Sequence, residues 1–134
     1  MTIEKQLEQF LASPVFAVVG ASTNRDKYGN KILRCYQQNN RPVIPVHPKE
    51  KQIEGVDCVA TIADIPVDVE SLSVITPPAI TEKIVEQAAA KGVKNIWMQP
   101  GAESPAAVQY CKEQGINIIA DGSCLLVVLR YHEG

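Results

Sequence analysis

The residues best suited to chemistry in this chain of 134 amino acids are small ones. Gly20-Ala21-Ser22 closes the apolar, β-branched run Val15-Phe16-Ala17-Val18-Val19. Such a run suits a buried parallel strand. Small residues behind it suit a tight turn into a helix, with backbone N–H groups exposed to bind an anion. Placed after the first strand of an α/β sheet, a turn of this kind grips a diphosphate. The expected ligand is therefore nucleotide-like, and a side chain at Gly20 is expected to block it while leaving the sheet folded. Other reactive residue types do not assemble into familiar machinery. Two histidines and four cysteines (Cys35, Cys58, Cys111 and Cys124) show neither CxxC nor metal-ligand spacing. There is no GxSxG elbow and no Ser-His-Asp order of a hydrolase. Cys124 is the best-placed thiol, near the start of a short last helix where a thiolate is favoured, although a small buried hydrophobe is its plainer role. Asp121 suits a cap for that helix better than a base, and His47, between an apolar strand and Pro48, suits a capping or packed histidine.

These residues need a scaffold, and hydrophobic periodicity supplies one. Residues 2–11 read as an amphipathic helix with Ile3, Leu7, Phe10 and Leu11 on one face, ended by Ser13-Pro14. Strands are expected over residues 15–19, 42–46, 72–76, 93–98 and 116–120, with a weaker short strand at 58–60 and one helical turn at 62–65. Helices are expected over residues 28–39, 79–91 and 104–114, and a short one over 125–131. The second of these should turn Ile80, Ile84, Val85 and Ala88 inward and end at Gly92; the third starts from Ser104 as N-cap with Pro105 behind it and ends at Gly115. The alternation predicts an α/β fold: a Rossmann-like, doubly wound parallel sheet of about five to six strands in three layers, in one domain over residues 1–134. Ligands of such sheets bind at the carboxyl ends of the strands. Gly20-Ala21-Ser22, His47-Pro48-Lys49, Thr76-Pro77-Pro78, Gln99-Pro100-Gly101 and Asp121-Gly122-Ser123-Cys124 should therefore share one rim.

Composition narrows the partners. Hydrophobic residues make up 46% and charged residues 21%, ordinary for a globular protein with a real core. A formal net charge of −2 argues against nucleic acid, and no run approaches a membrane span. The N-terminus lacks a signal-peptide core, so the cysteines are read as reduced thiols of a cytoplasmic protein. No protein partner can be named.

The dinucleotide fingerprint GxGxxG fails here, because Ser22 and Arg25 stand where its second and third glycines would be. The second strand ends not in an acid for an NAD ribose but in His47 and then Lys49. A basic residue there favours a ribose carrying an extra phosphate, as in NADP or coenzyme A. The ordered set Gly20-Ala21-Ser22, Tyr28-Gly29, Pro45-Val46-His47-Pro48, Ala63-Asp64-Ile65-Pro66 and Trp97-Met98-Gln99-Pro100-Gly101 resembles the CoA-binding domain family. These are small Rossmann-like proteins similar to the first domain of the succinyl-CoA synthetase alpha subunit. The resemblance covers residues 15–124. It implies that Gly20, Ala21, Ser22 and Thr23 cradle the diphosphate and that His47, Pro48 and Lys49 hold the adenosine end. It also implies that the pantetheine arm passes Thr76-Pro77-Pro78 and Gln99-Pro100-Gly101, towards Cys124. Relatives often carry Asp-Arg-Cys after the last strand, where this chain has Asp121-Gly122-Ser123-Cys124 and so no arginine.

Plainer roles stand beside several of these. Lys49 lies in the charge run Lys49-Glu50-Lys51, Thr76-Pro77-Pro78 also stops a strand, and Pro100-Gly101 also turns the chain. Tyr28-Gly29 is either packing at a helix start or, through Gly29, room for a ligand at the helix end. The expected function is binding of coenzyme A or an acyl-CoA without catalysis and without a metal. Succinyl-CoA synthetase needs a second domain and a partner subunit, and the chain is too short for that domain. Alternatives are an NADP-binding oxidoreductase or redox-sensing module, and an interaction module that has lost its ligand; the intact Gly-Ala-Ser turn argues against the last.

Overall fold

A computed structural model describes residues 1–66 and 68–133. Four apolar stretches and one shorter one pair as the hydrophobic pattern predicts, into a five-stranded parallel sheet. Its strands are β1 (Phe16–Val19), β2 (Val43–Val46), β5 (Ser71–Val74), β6 (Asn95–Met98) and β7 (Asn117–Ile119), in the order β2-β1-β5-β6-β7. Register is set residue against residue, with Val19 beside Val46 on one side and Val74 on the other. The strand order reverses between β1 and β5, which opens a crevice at their carboxyl ends.

Helices cover both faces because alternate strand residues point to opposite sides. One face packs Ala17, Leu72, Val74, Ile96 and Met98 against α3 (Pro78–Lys91) and α4 (Pro105–Glu113). The other packs Phe16, Val18, Trp97 and Ile119 against α1 (Ile3–Leu11), α2 (Tyr28–Gln38) and the four-residue α5 (Leu125–Val128). Phe10 meets Trp97 edge-on at 5.3 Å between ring centroids, and Phe16 stacks on Tyr36 at 4.8 Å. The central strand makes room for these rings by turning Ser71 and Ser73 towards them. Both serines are fully buried yet satisfied: Ser71 Oγ donates to Phe10 O at 2.8 Å, and Ser73 Oγ pairs with Tyr36 OH at 2.6 Å.

Caps follow the sequence. Thr2 and Ser104 accept from the backbone N–H groups of Lys5 and Ala107, and Gly92 ends α3 in the left-handed conformation at φ +87°. Two readings need correction. Residues 58–60 form no strand; only Val59 bridges to Val46. The chain instead builds a small hairpin, β3 (Gln52–Ile53) and β4 (Val56–Asp57), closed by Glu54-Gly55 with both residues at positive φ. Glu at the first turn position hid this from a reading that looks for Asn-Gly or Asp-Gly. A 3-10 turn (Ile62–Asp64) then leads to β5, so no full helix joins β2 to β5. In α3, Val85 and Ala88 are buried as expected, but Ile80 is 42% exposed because the first turn of the helix overhangs the sheet end.

Trp97 ties this core to the rim, its indole N–H donating to Ser123 O at 2.9 Å. Trp97→Phe should lower stability by about 1–3 kcal/mol and speed amide exchange over residues 121–124. Chemical denaturation followed by circular dichroism, with hydrogen exchange, checks this; unchanged exchange at the rim would disconnect Trp97 from that turn.

Candidate functional site

All five expected rim segments follow the carboxyl ends of the parallel strands. They do not form one site. At the crevice between β1 and β5 lies a cleft of about 390 Å³. Gly20 and Ala21 line it after β1, flanked by His47 and Pro48 after β2 and by Thr76 after β5. Sequence reasoning missed the remaining walls: Ala60, Thr61 and Ile62 from the segment after the hairpin, and Ile80, Ile84 and Gln87 from α3. The exposed Ile80 is thus part of an apolar wall, a role for which its helical stripe gave no sequence signal. Among the described residues, no Lys, Arg, Asp or Glu lines this cleft.

Backbone geometry makes the turn at Gly20. Its φ is +95°, and a Cβ there would fall 2.4 Å from Ile75 O. A Cβ on Gly29 would fall 2.0 Å from Gly20 O. The glycine at the start of α2 therefore lets helix and turn approach each other. The expectation that a side chain at Gly20 spares the fold is also overturned, since that side chain collides with the backbone of β5's end before it reaches any ligand. Beyond Gly20, the backbone N–H groups of Ala21, Ser22 and Thr23 donate to no partner among the described residues. Ser22 Oγ accepts from Asn24 N, and Asn24 Oδ1 from Asp26 N, both at 3.0 Å, which rounds the loop off without using those donors. Three amides in succession without an internal partner among the described residues thus lie beside the first turn of an 11-residue helix.

His47 does cap: its Nδ1 accepts from Lys49 N and Glu50 N at 3.0 Å each. That leaves the proton of the neutral ring on Nε2, as a donor. Lys49 is exposed and outside the cleft lining, on the turn that His47 closes. Thr76 Oγ1 pairs with Thr81 Oγ1 at 2.8 Å, tying the strand end to α3, whose N-cap and first residue are Pro77 and Pro78. Pro100 and Gly101 form an exposed turn in which Gly101 N donates to Glu103 at 2.7 Å.

Gln99, Tyr28 and Cys124 gather apart from the cleft lining. Gln99 is fully buried, and its Oε1 accepts from Leu125 N at 2.9 Å and Tyr28 OH at 3.3 Å. That carboxamide oxygen is committed to the fold, not turned to a ligand. Tyr28 OH also pairs with Cys124 Sγ, and burial together with this contact pushes the phenol well above its usual pKa. Cys124 is half-buried at the N-cap of α5, but that helix has only four residues, too few for a useful dipole. All four cysteines are free thiols. Burial pushes Cys35 and Cys111 up to about 11, with the Cys124 thiol adding to the shift at Cys35. Asp121 caps its own turn, accepting from Ser123 N at 3.0 Å, rather than α5.

Two other hollows lie nearby. One of about 520 Å³ sits between α2 and the C-terminal segment, but its side chains neutralise one another, Arg25 pairing with Glu54 and Arg34 with Glu133, both at 3.4 Å. The other, of about 460 Å³, adjoins the cleft through Thr61 and Gln87 and reaches Lys91. Among the described residues no cluster of His, Cys, Asp and Glu could hold a metal ion, and no helix is long and apolar enough to cross a membrane.

A family model described as a CoA binding domain matches residues 14–130. The chain belongs to the CoA-binding domain family. An ADP-forming acetate–CoA ligase of Archaeoglobus fulgidus is 31% identical over 106 residues, which are 79% of this CoA-binding domain and 16% of that ligase. The chain thus spans about a sixth of that relative, and 11% of the corresponding ligase of Methanocaldococcus jannaschii. Among solved structures, a conserved hypothetical protein of Pyrococcus furiosus is 34% identical with a TM-score of 0.81, covering 84% of this chain and 97% of its own. A hypothetical protein of Pyrococcus horikoshii is 29% identical with a TM-score of 0.87, covering 95% and 89%.

The two backbone contacts generate the prediction for this site. Gly29→Ala should cost about 1–3 kcal/mol by overpacking, and Gly20→Val should cost more because positive φ adds to the collision. Thermal unfolding followed by circular dichroism measures both; wild-type midpoints would show that the helix and the turn have room to spare.

Proposed function

We propose that this chain binds coenzyme A or an acyl-CoA and does not turn it over. The observation that carries the reading is the run of amides without internal partners at Ala21, Ser22 and Thr23, the first of which lines an apolar cleft. A diphosphate on those amides would place the adenosine in the cleft, its base against Ile62, Ile80 and Ile84 and its ribose near the Nε2–H of His47. The exposed Lys49 stands on the same turn and can reach a ribose phosphate from outside the cleft. Family membership supports the choice of coenzyme A over other nucleotides. Binding without turnover is favoured because the reactive groups are engaged structurally: His47 closes a turn, Gln99 holds α5, and Cys124 pairs with Tyr28. The pantetheine arm would leave the turn along Thr76-Pro77-Pro78 and over Pro100-Gly101 towards Cys124.

Calorimetry should rank coenzyme A first, dephospho-CoA weaker by up to about fivefold, the scale of an exposed ion pair, and NAD last. Lys49→Ala should abolish the difference between the first two. Equal affinity in the wild type would remove the role given to Lys49, and tight NAD binding with none for coenzyme A would overturn the reading.

On the same reading, Cys124 would be the thiol nearest the ligand's own. On incubation with CoA disulfide, the Cys124 thiolate attacks one sulfur, forming the Cys124–CoA disulfide and releasing one CoA thiol. Intact mass with peptide mapping should find the adduct on Cys124. No adduct, or one spread over Cys35, Cys58 and Cys111, would count against the path assigned to the arm.

A further inference from the structure

We propose that Asn30 and Arg34 are positioning residues for the anion cradle, an inference that rests on the diphosphate reading above. The loop from Ala21 to Lys27 has no regular secondary structure and is mostly exposed. What orients it is a polar pair one turn apart on α2, the fully buried Asn30 and the 8%-exposed Arg34. Asn30 Nδ2 donates to Ser22 O at 2.8 Å. Arg34 Nη2 donates to Arg25 O at 2.8 Å, and its Nε to Asn30 Oδ1 at 2.7 Å. The pair therefore holds two loop carbonyls and locks its own geometry.

A trans peptide plane sets each C=O opposite the N–H that follows it. Holding Ser22 O towards Asn30 thus turns the Thr23 N–H away from α2, as a free donor. Holding Arg25 O fixes the far end of the loop, where the Asp26 N–H is already taken by Asn24. Burying a guanidinium is costly unless it is paired. Here Arg34 has Asn30, a backbone carbonyl, Glu133 at 3.4 Å and the Tyr131 ring at 5.5 Å. The apolar face of α2 is already complete in Ile32, Leu33 and Tyr36, so the cation serves the loop rather than the core. Lysine cannot replace it, because a single ammonium lacks the fork that spans Asn30 and Arg25 O.

The test compares wild type with Asn30→Ala and the milder Arg34→Lys, using coenzyme A, ADP and adenosine as probes and the Thr23 amide resonance as a second readout. Both variants should remain folded, bind coenzyme A and ADP at least tenfold more weakly, bind adenosine as wild type does, and lose the ADP-induced shift of the Thr23 amide. Equal weakening towards ADP and adenosine would reduce the pair to a structural role and overturn the proposal. So would unaltered ADP binding in a folded Arg34→Lys variant. A wild type that binds neither coenzyme A nor ADP would instead overturn the diphosphate reading itself, and the proposal with it.

Discussion

The structure turns on a contact with no side chains in it. Gly20 sits against the backbone of Ile75 on one side, and Gly29 brings the first turn of α2 against Gly20 O on the other. Backbone atoms from β1, the end of β5 and the start of α2 thereby meet in a space that admits no Cβ. The strand-order reversal opens a crevice, but this contact gives the crevice a polar end: it brings α2 up to the turn and leaves the amides beyond Gly20 without internal partners. Everything assigned to the site depends on that spacing.

Around the contact, several polar groups of the core connect the layers, although Gln99 Nε2 and Arg41 Nε are buried without a partner among the described residues. Ser73 joins the sheet to Tyr36 on α2, Trp97 joins it to the turn before α5, and Gln99 joins it to α5 and Tyr28 together. Each bond satisfies a buried donor or acceptor that would otherwise cost about 1–3 kcal/mol. Those of Trp97 and Gln99 also run from β6 to segments at the carboxyl rim. Rigidity is thus passed to the rim by directional bonds, while the apolar contacts supply the bulk of the stability.

The sheet was legible because strands buried on both faces read as apolar runs and helices as 3.6-residue stripes; residues 16–19, 28–38 and 105–113 needed nothing more. The segment from Glu54 to Ile62 was not legible, since its hairpin relies on a Glu in the left-handed conformation, held by Asn30 and Gln37, which lie far away in sequence. The turn at Gly20 was visible as a string of small residues. What its glycine avoids was not, because that depends on which strand lies next door. Ile80 and Ile84 show the same limit. Their spacing places them on one helical stripe, but only the overhang of α3 past the sheet decides that the stripe's first turn borders a cleft. Gln99 has the opposite history: a polar residue at a strand end invites a ligand, and here a helix N–H takes its carboxamide oxygen, while Nε2 has no partner among the described residues.

Among the described residues, no lysine, arginine, aspartate or glutamate stands along the walls of the cleft. An anion held by backbone amides in such a setting is recognised by the directions of fixed dipoles, which added salt screens little over contact distances. The protein's own net charge is −2, so its long-range field does not draw anions in. Were such an anion bound here, its capture would be governed by ordinary diffusional encounter, and selectivity would reside in how long a fitting molecule stays rather than in how fast it arrives.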